Sequence, residues 1–453
     1  NNALLNNTTA HNNVAVGNAS LCCNTTGNAN VAIGPQALER NTTGIYNIGL
    51  GLCTLKWNTT GAANTAIGIF ALENNTTANY NTAVGYYSSH NNTTGVSNVS
   101  VGHNSLQLNT TGAANTAIGA SALKSNTTAN YNTAVGYLAM CKTTTGQNNV
   151  AIGNTAMFNS DNASFNVALG SGALCANLNQ NGIVAIGYEA GRFATGSLSV
   201  HVGKNAGRSN TATFATFIGF ESGNSNTGIS AVGLGAYTLC SNQGMNNVAV
   251  GHTALCSNTT GGCNTAIGAT TLSNNTTGTG NVAVGSDALN KTTTGFYNIG
   301  VGLRAAYSNT SGAHNIGIGA YALDSNTAGN ANIAIGTSAL RVNTGAGNIA
   351  IGLESMRYNT TGINNTAVGC QALESYTSGR YNVAFGNRAL CSNTTAYCNT
   401  AIGYSALMSN VTGCNNTATG YASLFSNTGN DNTAYGYYTL RNNTTGCANV
   451  AVG

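Results

Sequence analysis

The chain has 453 residues, of which only 5% are charged, with 59 Gly and a single Pro. Its 14 basic and 10 acidic side chains leave a net charge of +4, too little to neutralise a phosphate backbone, which excludes nucleic acid as a partner. At 42% hydrophobic the sequence is expected to fold rather than stay disordered, and it holds no run of about 18 apolar residues that would cross a membrane.

The opening stretch, NNALLNNTTA, has no basic region, no long apolar segment and no Met, so a signal peptide is expected to be absent already. From there the chain repeats itself. The Gly that closes each AIG or AVG falls at Gly17, Gly34, Gly51, Gly68, Gly85, Gly102, Gly119, Gly136, Gly153, Gly170 and Gly187, 17 residues apart each time. The middle slips, with Gly203, Gly219, Gly233 and Gly251 as the matching positions, and regular spacing resumes from Gly268 to Gly453. This divides the chain into regular coils over 1–170, irregular coils over 171–251 and regular coils over 252–453, all parts of one continuous solenoid. It opens and closes on whole repeats, as expected of units that join end to end or run on into flanking domains.

Four residues before the Gly stands Asn from Asn13 to Asn166 and again from Asn247 onward, as at Asn30, Asn47 and Asn64, followed by Val or Thr, then usually Ala, then Ile or Val. Four after it stands Leu (Leu21, Leu38, Leu55), with Met140 and Met157 as stand-ins, and seven after it the Asn of Asn-Thr-Thr. A 17-residue unit cannot close a core alone: a few apolar side chains contribute about 1.5–3 kcal/mol each, against roughly 1–2 kcal/mol per residue for ordering the backbone. Stacking like on like resolves the deficit. The short alternating N-T-A-I-G reads as a strand, Gly as a corner with positive φ, and Asn and Thr as corners held by side-chain bonds, with Asn amides bonding along the axis. The fold class is therefore all-β, a parallel β-solenoid (β-roll) of about 27 coils, rod-shaped and about 130 Å long at ~4.8 Å per coil. On the strand, Ile or Val points one way and Ala with Asn the other. One face would fill the coil while the other meets a second copy; the alternative is a single-chain rod with Ile, Val and Leu inside and Ala and Asn outside.

The motif N-[VT]-A-[IV]-G-x-x-[AS]-L, carried well by NNVAVG (Asn12 to Gly17) and NANVAIG (Asn28 to Gly34), resembles the head repeat of YadA-type trimeric autotransporter adhesins, a left-handed parallel β-roll. It is also similar to Asn/Thr-rich tandem repeats of phage tail-fibre-like proteins. The repeat here is longer than that family's and adds the NTTG corner. The resemblance implies trimerisation and adhesion at a cell or virion surface.

Asn-Thr-Thr is an N-glycosylation acceptor. The column holds one at Asn7, Asn24, Asn41, Asn58, Asn75, Asn92, Asn109 and Asn126, and again at Asn258, Asn275, Asn309, Asn359, Asn393, Asn410 and Asn443. Covalent N-glycans along one edge would keep an uncharged rod soluble; plain corner chemistry explains the same residues. A Thr row presented to ice is a third reading. Among the 13 Cys, Cys256 and Cys263, and Cys391 and Cys398, bracket an Asn-Thr-Thr corner, while Cys240 and Cys256 fall in one column of neighbouring coils. Disulfides at these places would indicate an extracellular setting, and free thiols are the alternative. Without a CxxC, zinc has no support. The histidines and carboxylates scatter, so no catalytic set, metal site or cofactor is expected. Between Ile183 and Leu234 the Asn column fails and Arg192, His201, Lys204, Arg208, Phe214, Phe217 and Phe220 crowd in, either as a lateral contact or as a drifted repeat that still stacks.

These observations lead to a non-enzymatic, extracellular structural fibre protein whose partners are copies of itself, in a lateral oligomer or an end-to-end filament. An adhesin or viral tail-fibre shaft and an ice-binding solenoid are the alternatives.

Overall fold

Each repeat, read from the sequence as a strand with Gly, Asn and Thr corners, folds as one coil. A computed structural model describes residues 2–176 and 179–453. The chain is an all-β parallel solenoid with no helix among the described residues, and it falls into two compact units, Asn1–Ser225 and Asn226–Gly453. The first holds strands β1 (Val14–Val16) to β13 (Thr216–Ile218), the second β14 (Val232–Leu234) to β27 (Val450–Val452). Every strand is three residues long and, within each unit, pairs in parallel with its successor. Between β7 (Thr116–Ile118) and β8 (Thr133–Val135) the register is Thr116 to Thr133, Ala117 to Ala134 and Ile118 to Val135. Like therefore lies over like, as the repeat demanded.

The corner Gly is fixed by two constraints. Gly119 has φ +128°, which L-residues rarely adopt, and a Cβ added there would sit 2.5 Å from the carbonyl oxygen of Gly136 on the next coil. The same geometry corrects one anchor. Gly233 lies in the middle of β14, and the corner is Gly235, at φ +132°. The middle of the chain is thereby more regular than its sequence suggested, because Gly203, Gly219, Gly235 and Gly251 follow in equal steps.

Which face is inside also differs from one of the expectations. The middle Ala of the strand (Ala66, Ala117, Ala266) is fully buried, and so is the Asn column (Asn30, Asn64, Asn115). The flanking Ile and Val point outward, with Ile118 40% exposed and Ile267 41%. The arrangement with Ile and Val inside and Ala and Asn outside does not occur. The cause is width. Leu106 and Leu123 enter the interior from the turn, where they form one buried cluster with Ala117 and Ala122. A coil this thin has room for Ala opposite Leu and for nothing larger.

Three non-Gly positions per coil take left-handed backbone: the second and fourth residues after the corner Gly and the fifth before it, as at Gln36, Leu38 and Tyr46. The Leu column thus turns its side chain inward from a conformation that an isolated L-residue avoids.

Candidate functional site

The Asn-Thr-Thr corner is an interior structure. Asn41 donates from Nδ2 to Asn24 Oδ1 at 2.8 Å and to the Gly44 carbonyl at 3.0 Å. Asn58 repeats this with Asn41 and Gly61 at 2.8 and 2.9 Å. Both amide hydrogens are spent. Of the acceptor column, Asn24, Asn41, Asn58, Asn75, Asn92, Asn109, Asn126, Asn258, Asn275, Asn309, Asn359, Asn393 and Asn410 are fully buried; Asn7 is exposed and Asn443 half-buried. This corrects the reading of an edge lined with sugar. A glycan on Nδ2 would have to displace a hydrogen-bonded amide from the interior, and desolvation favours the bare side chain. The sequon signal reads chemistry and not depth.

Where the ladder is interrupted, the interior shows it. Thr143 and Thr292 stand in for Asn, and the Oδ1 atoms of Asn126 and Asn275 in the preceding coils are buried without a partner. Tyr376 replaces another Asn and is wholly buried. Its hydroxyl donates to Asn365 Oδ1 at 3.1 Å and accepts from Asn382 Nδ2 at 2.9 Å, and burial pushes its titration far above the usual phenol range. At most corners the first Thr donates Oγ1 to the carbonyl of the matching residue on the next coil, as Thr42 does to Thr59 at 3.0 Å. From Thr25 to Thr127 that first Thr is half-buried and only the second, such as Thr43 or Thr60, is exposed, so the row offered to solvent there is one threonine wide; farther on, first positions such as Thr344 and Thr360 are exposed too.

The outward sheet face is chemically uniform from strand to strand. In all strands its two positions hold only Val, Ile, Leu, Thr, Phe or Tyr, and no charged residue. Beside it an intermittent aromatic column, including Tyr46, Tyr80, Tyr131, Phe165, Tyr297 and Tyr381, is more than half exposed. Charge is sorted to the turn after the corner Gly, at its first, second, fifth and sixth residues; only Asp161, Arg380 and Asp431 lie elsewhere. There Glu189 pairs with Arg192 and with Arg208, the latter at 2.9 Å, which holds its carboxyl below the usual range despite the opposing push of desolvation. Arg304 meets Asp324 at 3.1 Å. Tyr residues after the corner also stack between coils: Tyr404 and Tyr421 lie 5.1 Å apart at 9°, and Tyr421 and Tyr437 5.4 Å apart at 22°.

The crowded residues near 200 are absorbed by stacking. His201 and Phe217 occupy the strand position normally held by Ala and are fully buried, their rings 5.9 Å apart at 12°. Arg192 and Arg208 lie over the Phe193 ring at 5.0 and 5.1 Å, and Lys204 lies 5.6 Å from that of Phe220. Phe214 is exposed. Neither ring nitrogen of His201 has a partner, and burial pushes its pKa down to about 4.

No disulfide joins the candidate cysteines. Cys263 and Cys398 are exposed free thiols, Cys391 is a buried one and Cys256 is half-buried. Only Cys240 and Cys256 are brought together, with their Sγ atoms 3.4 Å apart. The described residues leave no pocket, bring no three metal-ligating side chains together and include no helix long and apolar enough to cross a membrane. No protein-family model matches this chain, and no curated protein shows significant similarity to it.

Proposed function

We propose that this chain is a non-enzymatic structural fibre protein working outside the cell, and that copies associate laterally through the outward sheet face. The observation that carries the reading is the face itself: a third strand position that is Val, Ile or Leu on every strand except at Phe385, Thr419 and Tyr435, beside a first position of Val, Ile or Thr, free of charge throughout. Monomeric proteins rarely leave such a contiguous apolar surface uncovered. Strands about 4.8 Å apart and a face roughly 10 Å wide give each unit on the order of 600 Å² per copy, so a pair of units buries more than the ~1,000 Å² that a specific interface requires. Sorting of charge to the turn after the corner Gly leaves that side wetted while the sheet side is covered. The extracellular setting rests on the likeness of the N-[VT]-A-[IV]-G repeat to surface-adhesin heads, and an adhesin or tail-fibre shaft would use the same lateral contact. A threonine row one residue wide gives weaker support to ice binding.

Sedimentation velocity on the wild-type chain and on a triple variant, Ile118→Lys, Ile152→Lys and Leu169→Lys, tests this. The wild type should sediment as an oligomer and the variant as a single chain with unchanged circular dichroism. A wild type that stays a single chain up to roughly 100 µM, where even weak specific contacts form by mass action, would overturn the reading.

A further inference from the structure

We propose that Cys240 and Cys256 form a thiol–disulfide exchange site, which reacts with low-molecular-weight disulfides and closes into a covalent link between neighbouring coils. Both follow the inward Leu of their coils, Leu239 and Leu255, so they occupy one column of the second unit, 16 residues apart in sequence and 3.4 Å apart at Sγ. The same column on adjacent coils places the Cα atoms about 4.8 Å apart, inside the range a disulfide spans. Closing the bond brings the two Sγ atoms from 3.4 Å to the ~2.0 Å of an S–S bond. Both residues are half-buried rather than enclosed, which leaves room for a small disulfide to reach them, and Cys240 Sγ donates to the Tyr237 carbonyl at 3.1 Å, which holds it in place. The contact with Cys240 Sγ lowers the Cys256 thiol to about 7, against the opposing push of burial, which makes Cys256 the attacking sulfur of the pair.

The Cys256 thiolate attacks one sulfur of the small disulfide, whose S–S bond breaks; one small thiolate leaves and takes a proton from water. Cys240 then loses its proton to solvent, its thiolate attacks the Cys256 sulfur of the mixed disulfide, and the second small thiolate leaves. Two protein thiols are oxidised and one small disulfide is reduced to two thiols. The product encloses one 16-residue step of the solenoid, from Cys240 to Cys256, in a covalent ring.

The full chain, incubated with oxidised glutathione near neutral pH, blocked with N-ethylmaleimide and digested with chymotrypsin, tests this by mass spectrometry. The expected product is a cross-linked Cys240–Cys256 peptide pair, about 2 Da lighter than the two reduced peptides, appearing at least ~10-fold faster than any glutathione adduct on the half-buried Cys370. Cys240→Ser should halt the reaction at the glutathione adduct on Cys256, and Cys256→Ser should leave Cys240 no more reactive than Cys370. A wild type in which both residues take up maleimide at the rate of Cys370, or in which the adduct on Cys256 persists without cross-linking, would overturn the proposal.

Discussion

Two stretches of the first unit close the same cross-section with opposite parts. Between Gly102 and Gly153 the strand supplies Ala117, Ala134 and Ala151 while the turn supplies Leu106, Leu123 and Met140, all fully buried. Around Gly203 and Gly219 the strand supplies His201 and Phe217, and the fourth residue after each corner is Gly207 or Gly223 instead of Leu. A Cβ on Gly207 would lie 2.0 Å from His201 Nδ1, and one on Gly223 2.4 Å from the Phe217 ring. Bulk has moved across the interior while its total is kept. In the same stretch the buried Asn column gives way to Ile183, Ser199 and Ala215. Side-chain identity inside the coil is therefore negotiable as long as volume is conserved; the corner Gly and the strand register are not.

The strongest way to break this comparison is at the part both regions share. Gly119→Ala should destabilise by about 4 kcal/mol, from positive-φ strain and overlap with the Gly136 carbonyl, read as a lowered guanidinium midpoint. Gly207→Leu, which imposes the regular turn on the shifted coil, should destabilise by about 3 kcal/mol through overpacking. Combined with His201→Ala it should return to within about 1 kcal/mol of wild type, because the two changes rebuild a regular coil, and the double-mutant cycle measures that coupling.

Acidification should find the same place. His201 is held neutral, its pKa about 4 against an ordinary 6.5, so below 6.5 the unfolded chain binds a proton that the folded chain refuses. Its contribution is fully present above pH 6.5 and falls by about 3 kcal/mol as pH drops toward 4. Urea midpoints followed across that range should show this slope in wild type and not in His201→Ala. The smallest contrast compares the two polar columns. Asn58→Ala leaves Asn41 Oδ1 without its donor and one N–H of Asn75 Nδ2 without its acceptor and should cost about 2 kcal/mol. Ser199→Ala, which frees only the Ala215 N–H bonded to Ser199 Oγ at 3.2 Å and the Ser197 carbonyl, should cost about 1 kcal/mol.

The coil was legible because stacking requires each side chain to meet its copy, so the period, the Gly corner and the Asn ladder are all written as columns. Sidedness was not. Alternation tells two faces apart without saying which is inside, and ordinary hydrophobicity favours Ile118 over Ala117; the decision belongs to the Leu side chains entering from the turn, which only the backbone's left-handed residues reveal. Gly233 reads as a corner because AVG looks the same in a strand as at its end. The swap of Leu for Gly at Gly191, Gly207 and Gly223 stood in the sequence beside His201 and Phe217, and could have been read as compensation. Tyr376 in the Asn column gave no such signal, since an exposed turn tyrosine looks identical. The surface that carries the proposed function was legible as an uncharged column, and the pairing of Cys240 with Cys256 as a shared one.

The left-handed residues have a consequence for how the molecule is made. Each coil asks three ordinary L-residues to adopt a conformation worth about 1 kcal/mol less than their preferred one, and a freshly synthesised repeat has no reason to choose it. A finished neighbour supplies that reason, presenting carbonyls and amides spaced for one path only. The first coil is then the slow event, and every later one is a copy printed from the template beneath it.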